Sequence, residues 1–226
     1  MKKFIFATLT LFLLNFSAFA QMHVGLAFGP SMSNMTIDGA ESLIQSPEMY
    51  VGLRTGATAS YQFSDLFSLQ SGVFYHRTGF QVNESIGLDV FNQDIPLGLK
   101  AITQLHFLEI PVLARLNVGT EKVKWYIEGG PQLSYAMDGE VRTRASFLVD
   151  FNLGRYDINM ANSNFRRVEW TGVVGTGLDI GLNEYLNLEL GAQYMHGFTD
   201  LTEEPIVDIR TKRRAGAITA GLKYQF

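Results

Sequence analysis

The segment 216–226 reads GAITAGLKYQF and alternates apolar with polar or small residues along its length. Successive side chains of a β-strand point to opposite faces. Ile218, Leu222 and Phe226 therefore share one face, while Thr219 and Lys223 share the other. One face suits lipid and the other suits water or polar neighbours. The segment predicts a strand in a membrane-spanning β-barrel, ending on a terminal aromatic residue.

The same alternation recurs in seven earlier segments, which predicts eight strands. Three connections between them are tight, and the other four are long and rich in Gly, Asn, Asp and Ser. Short turns on one rim and long loops on the other are typical of transmembrane barrels. The sequence thus predicts an all-β fold, an eight-stranded antiparallel up-and-down transmembrane β-barrel. The predicted strands are 22–32, 50–63, 67–80, 104–118, 122–136, 167–182, 185–198 and 213–226; the predicted long loops are 33–49, 81–103, 137–166 and 199–212.

The more apolar face of every predicted strand lacks charge, although 18% of the chain is charged. A Lys or Arg facing lipid at mid-bilayer costs about 2–4 kcal/mol, which accounts for such a face. This set therefore predicts the lipid-facing wall. It comprises the even positions of 24–28, 108–116, 168–180, 186–194 and 216–226, and the odd positions of 53–63, 69–75 and 125–135.

The opposite face carries nine charged residues and many glycines. An eight-stranded barrel is only wide enough for side chains to fill its interior, so we expect a filled polar lumen without an open pore. Buried charges must be paired, which predicts a neutralised network with Glu189 beside Lys223. The nine charged residues are Arg54, Glu109, Arg115, Lys124, Glu128, Glu169, Asp179, Glu189 and Lys223.

Residues 1–20 have the pattern of a secretory signal peptide. Lys2 and Lys3 precede the apolar core 4–16, and a small-x-small site ends at Ala20, which predicts cleavage before Gln21. The core is too short for a membrane-spanning helix, which needs about 20 apolar residues. The remaining 21–226 are expected to form a single barrel domain.

Composition excludes several classes of function. The chain has no cysteine, so neither disulfides nor a lipidated cysteine can form. Removing residues 1–20 leaves 16 basic and 22 acidic side chains, a formal charge of 16 − 22 = −6, which does not favour nucleic acid. Residues 21–226 contain no apolar run of 18 residues, so a helical membrane protein is excluded and a closed barrel is the other way to cross lipid.

No catalytic or metal-binding motif is present. The four histidines lack HxH, HxxxH and HExxH spacing, and no serine lies in a GxSxG elbow. We therefore predict a non-enzymatic protein with no cofactor. The carboxylates of the inner face could serve acid–base catalysis, but pairing within a barrel core is the favoured interpretation.

The loop 137–166 has two interpretations. It places an apolar run, 145–149, among four arginines and four acidic residues. Strands five and six could continue beyond the membrane as a hairpin. Alternatively, exposed apolar residues rimmed by charge could bind a protein partner.

Three segments resemble the PorT-type outer-membrane β-barrel family of Bacteroidota: 107–113 (FLEIPVL), 128–135 (EGGPQLSY) and 186–201. Leu222, Tyr224 and Phe226 are similar to the terminal signal that the barrel-assembly machinery recognises. The resemblance implies a location in the bacterial outer membrane, contact with its lipid, and a structural or accessory role in the envelope, with type IX protein secretion and gliding as the system of the family's named member. Envelope or secretion proteins are the implied partners, bound through 137–166 or the periplasmic rim.

Two other functions are compatible with the sequence. An outer-membrane lipid-modifying enzyme requires a Ser or His that faces lipid near a rim beside a carboxylate. A soluble periplasmic binding barrel requires the apolar face to turn inward around a ligand.

Overall fold

The protein forms nine β-strands in a computed structural model that describes residues 21–38, 48–90, 93–120, 122–147, 149–157, 166–199 and 210–226. Residues 1–20, which hold the predicted signal peptide and Ala20, lie outside this part of the chain. No helix long and apolar enough to cross a membrane occurs among the described residues. The strands are β1 (Met22–Asp38), β2 (Glu48–Gln62), β3 (Phe67–Val90), β4 (Gln93–Gly119), β5 (Val123–Phe147), β6 (Val149–Asp157), β7 (Val168–Gly181), β8 (Leu186–Gly197) and β9 (Arg210–Gln225).

Eight of these strands close into an antiparallel barrel. Each pairs with its neighbour in the order β1, β2, β3, β4, β5, β7, β8, β9, and β9 pairs back with β1. The closing register aligns His23 with Gln225 and Asp38 with Arg210. The predicted eight-stranded barrel is therefore confirmed, and every barrel strand has a hydrogen-bonded neighbour on both sides.

The two faces of the wall differ in exposure as the alternation requires. None of the predicted lipid-facing positions is buried, and Leu26 and Ile218 are 71% and 67% exposed. Buried residues occupy the alternate positions and point into the lumen. Because the apolar set faces outward, the inward-turned arrangement that a soluble binding barrel needs is wrong for this chain.

The three tight turns lie at one rim. Phe63 N–H donates to Phe67 O (3.0 Å), and Leu182 N–H donates to Leu186 O (2.8 Å). The carboxamide oxygen of Asn183 also accepts from Leu186 N (2.8 Å), which fixes that turn. Gly119 adopts φ of 150°, a conformation that L side chains rarely take. These turns hold three strand pairs in register at the short-turn rim.

At the opposite rim, the prediction of a loop at 81–103 is wrong. Residues 81–90 and 93–102 pair with each other as the upper parts of β3 and β4, so most of 81–103 is strand. Beyond the bilayer a strand needs no continuous apolar face, because its backbone groups bond to the neighbouring strands whether lipid or water surrounds them. The Gly, Pro and Asn residues of this stretch therefore suggested a loop where a hairpin forms.

The region 137–166 contains a hairpin of the kind that the first interpretation requires. β5 continues to Phe147 and pairs with β6, which is additional to the eight barrel strands. The upper parts of β3, β4 and β5 and the whole of β6 form a four-stranded sheet beyond the barrel. This sheet is the largest structure outside the membrane in the described part of the chain.

The charged lumen as the candidate functional site

A buried carboxylate, Glu109 on β4, is the centre of the upper lumen, on the long-loop side. Its Oε2 accepts from Arg54 Nε (3.0 Å), and its Oε1 accepts from Arg213 Nη1 (3.0 Å). His76 Nδ1 lies 2.9 Å from the same Oε1. Arg213 Nε also donates to Glu169 Oε2 (2.9 Å). These five residues, the Glu109 cluster, connect β2, β3, β4, β7 and β9 across the lumen, and their side chains are at most 2% exposed.

Each buried arginine also lies over an aromatic ring. The guanidinium carbon of Arg54 is 3.8 Å from the centroid of Phe74, and that of Arg213 is 4.3 Å from the centroid of Phe107. Such contacts are strongest where water is excluded. The rings therefore occupy the volume around the cations that solvent would otherwise take.

A second group, the Glu189 cluster, fills the lumen nearer the short-turn rim. Arg115 donates from Nη2 to Glu128 Oε2 (2.7 Å) and from Nη1 to Glu189 Oε2 (2.6 Å). Lys223 Nζ pairs with Glu189 and with Asp179 Oδ2, the latter at 3.0 Å. The structure thus places Glu189 beside Lys223, as the strand alignment predicts.

Tyr126 supports the Glu189 cluster from β5. The guanidinium carbon of Arg115 lies 3.7 Å from its ring centroid. A Cβ atom on Gly177 or Gly191 would touch the Tyr126 hydroxyl, so these two glycines make the room that this ring occupies.

One neutral residue connects the two clusters. The side-chain oxygen of Gln193 accepts from Arg54 Nη1 (2.6 Å), and its amide nitrogen donates to Glu128 Oε1 (2.6 Å). An amide can do both at once because it carries a donor and an acceptor. The clusters therefore form one hydrogen-bonded network through the lumen.

The network is close to electrically neutral. The Glu109 cluster holds two arginines and two glutamates besides His76. The Glu189 cluster holds two cations and three carboxylates, and Lys124 lies opposite Asp179 in the β5–β7 register. Pairing of this kind offsets the desolvation of each charge. The arrangement can hold the wall together across the lumen.

Several network residues are absent from the predicted set. Arg213 shares the inner face with Lys223, since both occupy odd positions of β9, so the alternation could have found it. His76, Gln132, Ser134 and Gln193 are not Asp, Glu, Lys or Arg, so they do not stand out in a search for inner-face charges. Their inward parity is the only sequence signal, and it does not distinguish them from small filling residues.

A polar cavity of about 660 Å³ opens below the Glu189 cluster at the short-turn rim. His23, Lys124, Asp179 and Lys223 contribute to its lining. The half-buried Lys124 thus lies at the mouth of the lumen rather than within either cluster. The lumen is therefore wide and polar at this rim and filled above it.

Among the histidines on the outer wall, His106 has the surroundings most similar to those of a catalytic histidine. Its Nδ1 lies 2.5 Å from the hydroxyl of Tyr75, and its strand neighbour in the β4–β5 register is Asp138. The Asp138 carboxylate accepts instead from the backbone N–H of Gly139 (2.8 Å). Within the described residues, no hydrogen bond joins His106 to a carboxylate or a serine, and no group of His, Asp and Glu could hold a metal.

The residues of the predicted assembly signal lie on the outer wall. Leu222, Tyr224 and Phe226 are 50%, 45% and 58% exposed, and Tyr224 packs between the rings of Tyr185 and Phe226. Phe226 N–H donates to Met22 O (3.3 Å), which ends the seam between the first and last strands. The aromatic group therefore lies at the short-turn edge of the lipid-facing wall.

A closed antiparallel barrel with an apolar outer wall and paired charges inside defines the class of bacterial outer-membrane β-barrels. The chain belongs to the family described as "Outer membrane protein beta-barrel domain", which matches residues 19–203. Its location is the outer membrane. No curated protein matches the chain.

The chain is also similar to solved structures over most of its length. Neisserial surface protein A is 16% identical with a TM-score of 0.46, covering 91% of this chain and 97% of that one. OprG from Pseudomonas aeruginosa is 16% identical with a TM-score of 0.46, covering 90% and 95%. The outer membrane protease OmpT from Escherichia coli is 9% identical with a TM-score of 0.33, covering 91% and 96%.

Proposed function

We propose that the protein is a non-enzymatic outer-membrane barrel with a filled lumen, acting as a structural or accessory component of the cell envelope. The observation that carries this proposal is the Glu109 cluster, which connects five strands across the interior with almost no solvent exposure. Solutes cannot pass without breaking several charge-assisted hydrogen bonds at once. The contacts through which the protein acts are therefore assigned to the two rims and to the four-stranded sheet beyond the membrane.

Conductance of the purified barrel in a planar lipid bilayer tests the filled lumen. We expect no steady open-channel current from the wild-type protein. Glu109→Ala with Arg54→Ala removes the shared carboxylate of the cluster and one of its two arginines and should give intermittent openings, whereas Glu184→Ala at the exposed short-turn rim should not. Steady wild-type conductance would refute the proposal.

The hairpin within 137–166 is the proposed site for protein partners. Tyr156 on β6 is 69% exposed, and Met137 on β5 is 40% exposed. Exposed apolar side chains on a sheet held clear of the membrane can be buried by a partner. The periplasmic rim, with its polar cavity, is the second proposed contact surface.

Affinity purification from native outer membranes tests the hairpin. A tagged protein that lacks 145–158 should lose envelope partners that the full chain retains. Deleting 86–97, the tip of the β3–β4 hairpin, provides the matched control, because it shortens the neighbouring part of the same sheet. Equal recovery of every partner with the 145–158 deletion would dismiss docking by this hairpin.

The system proposed for these contacts is type IX protein secretion. Its support is the PorT-type resemblance of 107–113, 128–135 and 186–201. Deleting the gene should then reduce secretion of the system's substrates, and the full-length gene should restore it. Normal secretion in the deletion strain would leave an envelope barrel outside that system.

Recognition by the barrel-assembly machinery is proposed for the outer-wall residues Leu222, Tyr224 and Phe226. Phe226→Ala keeps the backbone bond to Met22 while removing the ring, so slower assembly would indicate recognition of the side chain. Phe28→Ala is the matched control, since that ring is 63% exposed at mid-wall. Equal assembly of the two variants in a pulse-chase experiment would contradict the proposal.

A further inference from the structure

The outer wall carries a group of cations at the long-loop end of β9. Arg214 lies opposite His196 of β8 and opposite Asn34 of β1. The residues that flank Arg214 and His196 along their strands, including Ala215 and Met195, are buried in the lumen, so these side chains lie on the outer face. Lys212, two positions further along β9, shares that face.

Their height places these cations at the edge of the apolar band. Positions 226 and 214 are separated by twelve residue steps of about 3.3 Å, which corresponds to roughly 30 Å along the membrane normal for a strand tilted about 40°. The apolar band of such barrels is about 25 Å tall. Arg214 and Lys212 therefore lie at the depth of the outer-leaflet headgroups. Trp170 and Tyr194, 55% and 46% exposed, lie near the same height.

These cations differ from the arginines of the lumen in their partners. Among the described residues, no salt bridge joins Arg214 or Lys212 to a carboxylate. Arg214 is exposed and Lys212 is half-buried. Two positive charges at headgroup depth on the outer wall are complementary to anionic groups of the lipid itself.

An aromatic surface lies beside the cations. The His196 ring is 6.4 Å from the ring of Tyr194 and 5.6 Å from that of Phe198, centroid to centroid. A Cβ on Gly172 would come within 2.7 Å of the Phe198 ring, so the absence of a side chain there lets this ring lie against the wall. The three rings continue the apolar band up to the cations.

We propose that Lys212 and Arg214 bind the phosphate of an anionic lipid in the outer leaflet. Arginine presents a planar donor fork that matches phosphate oxygens, and lysine adds a second point charge. The rings of Tyr194, His196 and Phe198 contact the sugar or acyl portion below the phosphate. This site depends on the membrane location alone and stands whether or not the lumen conducts or the hairpin binds a protein.

Native mass spectrometry of the full chain in detergent micelles tests the site, with diphosphorylated lipid A as the probe. Lys212→Gln with Arg214→Gln should weaken binding by about twenty-five-fold, since each cation near an anionic surface contributes about five-fold. Lys122→Gln removes an exposed cation at the opposite rim and should leave binding unchanged. Raising the salt concentration should weaken wild-type binding.

Two further arms decide the outcome. Lipid A stripped of phosphate should bind wild-type protein as weakly as the intact lipid binds the double variant. Inorganic phosphate alone should not bind, because it lacks the portion that contacts the rings. The proposal would be overturned if the wild type and the double variant bound intact lipid A equally, or if the wild type bound both lipids equally. Binding of inorganic phosphate at the concentrations used for lipid would also overturn it. A heat-modifiability gel verifies folding, and the single variants Lys212→Gln and Arg214→Gln replace the double variant if it does not fold.

Discussion

The inner and outer surfaces of the barrel wall accommodate charge in opposite ways. Inside, Arg54, Arg115 and Arg213 are at most 2% exposed, and each pairs with carboxylates supplied by other strands. Outside, the mid-wall lacks charge, and Lys212 and Arg214 lie at headgroup depth. In the lumen, groups of the protein itself take the place of water around each charge. On the outer wall, the depth of a position in the lipid determines whether a charge can lie there. Whether a charged side chain is tolerated in this wall therefore depends on the groups that surround it and not on its burial alone.

The largest expected effect comes from removing the shared acceptor of the lumen. Glu109→Ala leaves Arg54 and His76 without their carboxylate and leaves Arg213 with Glu169 alone. Breaking a buried pair in this way costs about 3–5 kcal/mol of unfolding free energy. Urea unfolding in lipid vesicles, followed by tryptophan fluorescence, measures the loss. Glu48→Ala, an exposed carboxylate on β2, is the control, and equal midpoints for the two variants would contradict the role assigned to Glu109.

The next effect tests the outer wall. Leu190→Arg places a charge near mid-bilayer on a side chain that is 41% exposed to lipid. We expect a loss of about 2–4 kcal/mol in the same unfolding experiment. Val118→Arg, close to the short-turn rim and 57% exposed, should cost only about 0–1 kcal/mol because the charge reaches the interface. If both arginines cost the same, lipid depth does not limit charge on this wall.

A smaller loss is expected at Glu189, although this residue is also buried. Glu189→Ala leaves Arg115 with Glu128 and Lys223 with Asp179, so neither cation is left without a carboxylate. The expected cost is about 1.5–3 kcal/mol, the contribution of hydrogen bonds to a charged group. It should appear as a lower unfolding temperature on a semi-native gel, with Glu184→Ala as the exposed control. An unchanged temperature would show that the Glu189 pairs do not stabilise the barrel.

The smallest effect is expected for the cations of the outer wall. Lys212→Ala with Arg214→Ala should change stability by no more than about 0.5 kcal/mol in vesicles of a neutral lipid, because among the described residues neither side chain forms a salt bridge and neither is fully buried. Diphosphorylated lipid A in the vesicles should restore a difference between wild type and variant. A large loss in neutral lipid would show that these residues stabilise the folded chain directly.

The alternation of the sequence predicts the barrel and its faces for a specific physical reason. Lipid and the filled lumen impose opposite preferences on successive residues, so the chemistry of Leu188, Glu189 and Leu190 alone shows that they point outward, inward and outward. That constraint ends where the strands leave the bilayer. Residues 81–90 and 93–102 therefore form strands without the same signal, and the sequence predicts a loop there. For the region of β6 the sequence leaves a hairpin and a partner-binding loop both open.

The sequence predicts only part of the hydrogen-bonded network in the lumen. Glu189 and Lys223 align because the turns at one rim set the heights of neighbouring strands. Contacts across the lumen, such as Arg54 with Gln193, depend on strand tilt and on how far the sheet is sheared at closure. Neither quantity can be read from alternation, so Gln193 gives no sign in the sequence that it connects the two clusters.

The seam between β1 and β9 has a kinetic consequence. It joins residues 23 and 225, roughly 200 positions apart, so the entropy lost in bringing them together precedes any gain from their hydrogen bonds. Until the seam forms, the sheet has two open edges whose backbone groups cannot be satisfied by hydrocarbon. Entry into the bilayer and closure of the cylinder must therefore proceed together, and the speed of this one ladder sets how long the unfinished sheet stays exposed to aggregation.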